Sequence, residues 1–120
     1  MDRSPLVLIH GFTATGAVWA PIVPQLAEHH EVHTPTLAGH CGGPEIPEGT
    51  DRSFTALVDD LEAQLDALGL DRPHLAGNSL GGWLGIELAA RGRASSVVAL
   101  SPGGGWEPGS REEKRIVAYF

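Results

Sequence analysis

The chain has 120 residues, of which 42% are hydrophobic and 19% are charged, and these proportions are typical of one globular domain. A net charge of -7 argues against a surface for nucleic acid or anionic lipid, because either surface needs clustered cations. No apolar run approaches the length of a membrane span or a signal peptide, and the single cysteine, Cys41, excludes an internal disulfide. We therefore expect a cytoplasmic protein that neither enters a membrane nor binds nucleic acid.

Apolar patterning predicts alternating strands and helices along the chain. Residues 35–50 are too rich in Gly and Pro for regular structure, and two prolines, Pro21 and Pro24, fall inside the first helical pattern. The predicted elements are strand 4–10, helix 17–29, strand 31–34, helix 53–68, strand 74–77, helix 80–91 and strand 97–100.

This alternation predicts an α/β fold: a parallel, doubly wound sheet of about four strands with helices on both faces. Ligands bind such sheets beyond the carboxyl ends of the strands. Two glycine-containing loops leave those ends, His10 to Thr13 after the first strand and Gly77 to Gly82 after the third. We expect the chemistry of the protein to lie on these two loops.

The loop after the third predicted strand contains the pattern Gly-Asn-Ser-Leu-Gly at residues 77–81. A sharp strand-to-helix turn of this kind presents a serine hydroxyl above the sheet, which makes Ser79 a candidate nucleophile. Leu80 is the first residue of the predicted helix, and its backbone N-H faces the same point as the Ser79 hydroxyl, where it would stabilise an oxyanion. A second donor is expected from the N-H of Phe12, with His10 bracing that loop.

Four segments of the sequence resemble the N-terminal half of an α/β-hydrolase. They are LVLIHGFTATGAVW at 6–19, PTLAGHCGGP at 35–44, HLAGNSLGGWLGIELAARG at 74–92 and VVALSPGG at 97–104. The resemblance implies Ser79 as the catalytic nucleophile and the backbone amides of Phe12 and Leu80 as the oxyanion hole. It also implies the spatial strand order second, first, third, fourth.

The catalytic acid and histidine of the family cannot be assigned to residues of this chain. In the family the triad runs serine, acid, histidine, but all six histidines of this chain precede Ser79. Residues 1–110 are interpreted as the N-terminal half of a hydrolase core, and 111–120 as the start of a truncated cap segment. The 120-residue chain alone is expected to be inactive, and to self-associate through the open apolar edge of its fourth strand.

Less specific interpretations compete with each of these assignments. Residues 77–81 also fit a plain glycine-rich turn, and His29, His30 and His33 fit solvated side chains better than a metal site. Dinucleotide and phosphate-loop patterns both fail, since Ser79 stands where the first needs Gly and Ala17 stands where the second needs Lys. Trp106 is a candidate for the acyl pocket, with packing as the alternative.

The sequence thus predicts a serine hydrolase that forms an acyl-enzyme on Ser79 and acts on a small, largely apolar carboxylic ester. No metal and no organic cofactor are implied. Two alternatives stay open: a non-catalytic module that binds a small ligand on the same scaffold, and a lyase or acyltransferase of the same family.

Overall fold

The computed structural model describes residues 3–49, 53–104, 109–111 and 114–115. These residues contain one sheet of four parallel strands in the order β2-β1-β3-β4, which confirms the predicted fold class and strand order. The strands are β1 (Ser4–Ile9), β2 (His30–His33), β3 (His74–Asn78) and β4 (Ser96–Leu100). The helices are a short 3-10 helix (Gly16–Trp19), α1 (Val23–Leu26), α2 (Phe54–Ala67) and α3 (Leu80–Ala90).

Alternate side chains of β1 pack on opposite faces of the sheet, as the period of a strand requires. Val7 and Ile9 pack against α2 and α3 in the larger core, and Leu6 and Leu8 pack against Trp19 in a smaller one. Among the described residues, one face of the sheet therefore carries the two long helices α2 and α3, and the other carries the segment between β1 and β2.

The predicted helix at 17–29 is wrong. The segment instead forms the 3-10 helix and the single turn α1, separated by Pro21. Pro21 and Pro24 have no N-H to donate, which interrupts a continuous helix. The part before Pro21 closes with i to i-3 bonds, such as Ala20 N-H to the carbonyl of Ala17 at 3.1 Å, and α1 makes i to i-4 bonds, such as Ala27 N-H to the carbonyl of Val23 at 2.8 Å.

The helix predicted at 53–68 is found as α2. The Ser53 hydroxyl accepts a hydrogen bond from the N-H of Ala56 at 3.2 Å and caps its first turn. Gly69 follows its last turn with φ +73°, the left-handed conformation that commonly ends a helix. Within the described part of the chain, no helix has both the length and the apolar character to cross a membrane.

Candidate active site

Ser79 lies at the turn between β3 and α3 with φ 54° and ψ -116°, a conformation that a residue with a side chain rarely adopts. Hydrogen bonds hold this turn on both sides of the residue. Its N-H donates to the carbonyl of Leu100 at 3.0 Å, and its carbonyl accepts from the N-H groups of Gly82 and Gly103, both at 3.0 Å. These hydrogen bonds thus hold the backbone of Ser79 in its strained conformation.

Two glycines of the turn have no room for a side chain. A Cβ on Gly77 would lie 2.2 Å from the carbonyl oxygen of Gly81, and a Cβ on Gly81 would lie 2.0 Å from that of Ile9. At Gly82, the next residue of α3, the nearest atom would be 3.1 Å away. Gly81 therefore lets α3 begin directly against the end of β1, because any side chain at this position would collide with the β1 backbone.

The loop after β1 reaches the same point from the other side. A Cβ built on Gly11 would lie 3.6 Å from the Cβ of Ser79, so the two loops converge. Leu80 is the first residue of α3, and its N-H has no partner within the helix. Partial positive charge at this helix start favours an anion beside Ser79.

His10 is fully buried and bonded at both ring nitrogens. The N-H of Leu37 donates to Nε2 at 2.9 Å, so Nε2 is an acceptor and the ring proton is on Nδ1, which donates to the carbonyl of Gly11 at 2.7 Å. Burial lowers the pKa of His10 below its ordinary value, which agrees with a neutral ring.

A pocket of about 320 Å³ opens between the two loops. Ser79 and Phe12 both line it, as does Asn78. Most of the remaining wall is apolar and includes side chains that the sequence did not single out as site residues: Val18, Trp19 and Leu100. Only the position of Leu100 at the carboxyl end of a strand gave any indication of this role.

Two further polar side chains, those of His40 and Cys41, are not among the residues that line this pocket. Trp106 falls outside the described residues. The ring of His40 lies at 5.0 Å from that of His10 and at 5.7 Å from that of Phe12, measured between centroids. Cys41 is exposed. Among the residues that the structure describes, no three His, Cys, Asp or Glu side chains are grouped to hold a metal ion.

Comparison with known proteins identifies the family. Residues 6–119 match the alpha/beta hydrolase family. The chain belongs to that family. It is 37% identical over 120 residues to a pimeloyl acyl-carrier-protein methyl ester esterase of Aliivibrio salmonicida, a match that covers 97% of this chain and 43% of the esterase.

Other alpha/beta hydrolase relatives have different named activities. The chain is 47% identical over 68 residues to the epoxide hydrolase EphH of Mycobacterium tuberculosis, covering 57% of this chain and 32% of the relative. The crystal structure of a hydrolase from Pseudomonas aeruginosa superimposes with a TM-score of 0.78 at 30% identity, covering 97% of this chain and 44% of the other. The chain thus spans about a third to a half of the length of these hydrolases.

Proposed function

We propose that the protein is a carboxylic-ester hydrolase that works through an acyl-enzyme on Ser79. The observation that carries this proposal is the strained turn that presents Ser79 on the wall of a pocket, between the loop after β1 and the start of α3. Proteins keep backbone strain of this kind where function requires it. Membership of the alpha/beta hydrolase family supports hydrolysis as the reaction class.

In the proposed reaction, the Oγ of Ser79 attacks the carbonyl carbon of the ester and its proton passes to a general base. The oxyanion that forms accepts hydrogen bonds from the N-H groups of Phe12 and Leu80. The alcohol then leaves with a proton, and water hydrolyses the resulting acyl-enzyme to release the acid and restore the serine. His10 is not the general base, because both of its ring nitrogens are already bonded.

The pocket favours an uncharged acyl group. Four of its lining side chains, those of Phe12, Val18, Trp19 and Leu100, are apolar, and none of the described residues that line it carries Lys, Arg, Asp or Glu. A carboxylate placed there would lose its hydration without gaining a cation. We therefore propose small, neutral esters as the substrate class.

Epoxide hydrolysis is the second candidate, because the relative EphH matches at 47% identity. Chemistry separates the two reactions. An epoxide has no acyl group to transfer, whereas an ester leaves its acyl group on Ser79 between the two steps. An acyl adduct on Ser79 after quenching the reaction with a p-nitrophenyl ester thus favours ester hydrolysis, and turnover of styrene oxide without any such adduct favours the epoxide reaction.

A fluorophosphonate probe tests the nucleophile in the full-length protein. We expect the wild type to be labelled at Ser79 and the Ser79→Ala variant to be unlabelled. Ser101→Ala is the matched control, because Ser101 is an exposed serine that also has a positive φ, 46°. Labelling that persists in Ser79→Ala, or that disappears in Ser101→Ala alone, would contradict the proposal.

A further inference from the structure

The peptide unit between Gly11 and Phe12 is held from its carbonyl side. The carbonyl oxygen of Gly11 accepts hydrogen bonds from Nδ1 of His10 at 2.7 Å and from the N-H of Ala14 at 3.2 Å. A peptide unit is planar and trans, so its carbonyl oxygen and its N-H point in opposite directions. Any group that fixes the oxygen of Gly11 therefore also fixes the direction of the Phe12 N-H.

The donor on His10 is itself set by a distant segment. The N-H of Leu37 occupies Nε2, which leaves the ring proton on Nδ1. The neighbouring residue Thr36 is bonded to α2, because Gln64 Nε2 donates to its carbonyl at 3.1 Å. The other end of the loop is tied to the same place, since the N-H of Gly16 donates to the Thr36 hydroxyl at 3.0 Å.

We propose that His10 is a positioning residue of the oxyanion hole: through its Nδ1-H bond to the Gly11 carbonyl it aims the Phe12 amide at the oxyanion. A hydrogen bond to the carbonyl also polarises the peptide and strengthens its N-H as a donor. The inference rests on the proposed function, because it assumes that the Phe12 amide stabilises an oxyanion. It makes the segment at Thr36 and Leu37 part of the apparatus that sets the reaction rate.

Three substitutions at His10 separate positioning from simple packing. Asn places an amide nitrogen at the position of Nδ1 and keeps the donor to Gly11, whereas Gln places its polar atoms one bond further, at the position of Nε2. Leu removes both bonds. The measurements are kcat and KM for a p-nitrophenyl ester in the full-length protein, taken well below each variant's unfolding temperature.

We expect His10→Leu and His10→Gln to lower kcat by about 10- to 100-fold, part of the effect of losing one oxyanion donor, with KM nearly unchanged. His10→Asn should recover kcat to within about fivefold of the wild type. The dissociation constant of a trifluoromethyl ketone, which mimics the tetrahedral intermediate, should rise in step with the loss of kcat. If His10→Leu does not fold, the contrast between Asn and Gln decides the question.

His74→Asn is the matched control. His74 is half-buried at the amino end of β3, where its Nδ1 bonds the Ser96 hydroxyl at 2.7 Å, away from the pocket. Its variant should keep the wild-type kcat. Equal kcat in His10→Asn and His10→Gln, or losses that appear in KM alone, would overturn the positioning role. That result leaves the proposed function intact if Ser79→Ala still abolishes labelling, and labelling in Ser79→Ala would reject the proposed function instead.

Discussion

At the scale of single residues, Ser79 and His10 make opposite contributions to the site. Ser79 is held in a conformation that costs free energy, of the order of 1–3 kcal/mol for such a backbone. His10 satisfies two buried backbone groups, one on each side of its ring. The first provides the reactive geometry, and the second stabilises the loop that faces it.

Relief of this strain is measurable. The conformation of Ser79 is close to the mirror image of ordinary extended backbone. Glycine adopts this mirror-image conformation without penalty. We expect the free energy of unfolding of Ser79→Gly to exceed that of Ser79→Ala by about 1 kcal/mol. Glycine relieves the backbone strain, and its greater chain entropy in the unfolded state offsets part of that gain. Urea denaturation of the two variants measures the difference, and an Ala variant more stable than the Gly variant would show that the turn is unstrained.

The buried ring of His10 predicts a dependence of stability on pH. Burial lowers its pKa from 6.5 in the folded state and outweighs the hydrogen bond to the Gly11 carbonyl, which raises it. Below about pH 6.5 the unfolded chain therefore binds more protons at this site than the folded one. The stabilisation is complete above that pH and is lost as the pH falls through the lowered pKa.

Urea denaturation of wild type and His10→Asn at about pH 7.5 and pH 5 measures this contribution. The wild type should lose more free energy of unfolding than the variant, because Asn does not titrate. Equal losses in the two proteins would mean that the ring of His10 titrates alike in the folded and unfolded states.

At the scale of elements, the start of α3 depends on which glycine faces β1. A Cβ at Gly81 would collide with the backbone of Ile9 and His10, whereas a Cβ at Gly85 would meet ordinary contacts, the nearest at 3.5 Å from Val97. Both glycines are buried in the same helix, so they form a matched pair.

We expect Gly81→Ala to destabilise the fold by about 3 kcal/mol or more, because backbone must move to admit the methyl group. Gly85→Ala should be neutral or stabilising by up to about 1 kcal/mol, since alanine favours helix. Thermal unfolding of the two variants tests the contrast. Similar unfolding temperatures would show that Gly81 does not pack against the backbone at the end of β1.

Sequence patterns predicted the elements whose signals are local. Apolar patterning alone placed a helix at 53–68, and α2 is found at Phe54–Ala67. The helix at 17–29 failed because apolar spacing outweighed Pro21 and Pro24 in the prediction. The roles of Gly81 and of the Leu37 bond to His10 depend on contacts between distant segments, which spacing along the chain does not reveal. The strand order came from the family resemblance, not from the patterns.

At the scale of the whole molecule, the sheet ends in strands whose outer edges have no partner strand among the described residues. On β4, Val98 is 55% exposed and Leu100 is 48% exposed. An apolar strand with unpaired backbone groups favours association with other chains.

We therefore expect the isolated 120-residue chain to elute as oligomers or aggregates in size-exclusion chromatography with light scattering. Val98→Lys should increase the monomer fraction, because a charge on an edge strand opposes pairing. The control is Glu87→Lys on α3, away from the edge of the sheet, which should leave the elution unchanged. A sharp monomer peak with cooperative melting for the wild type would contradict the prediction.

A crystal structure of the full-length protein after reaction with an alkyl phosphonate tests directly whether Ser79 is the nucleophile and whether the Phe12 and Leu80 amides form the oxyanion hole. We expect phosphorus bonded to Oγ of Ser79 and a phosphoryl oxygen about 2.7–3.1 Å from the backbone nitrogens of both Phe12 and Leu80. Phosphorus on another residue, or a phosphoryl oxygen beyond hydrogen-bond distance of both amides, would contradict this expectation.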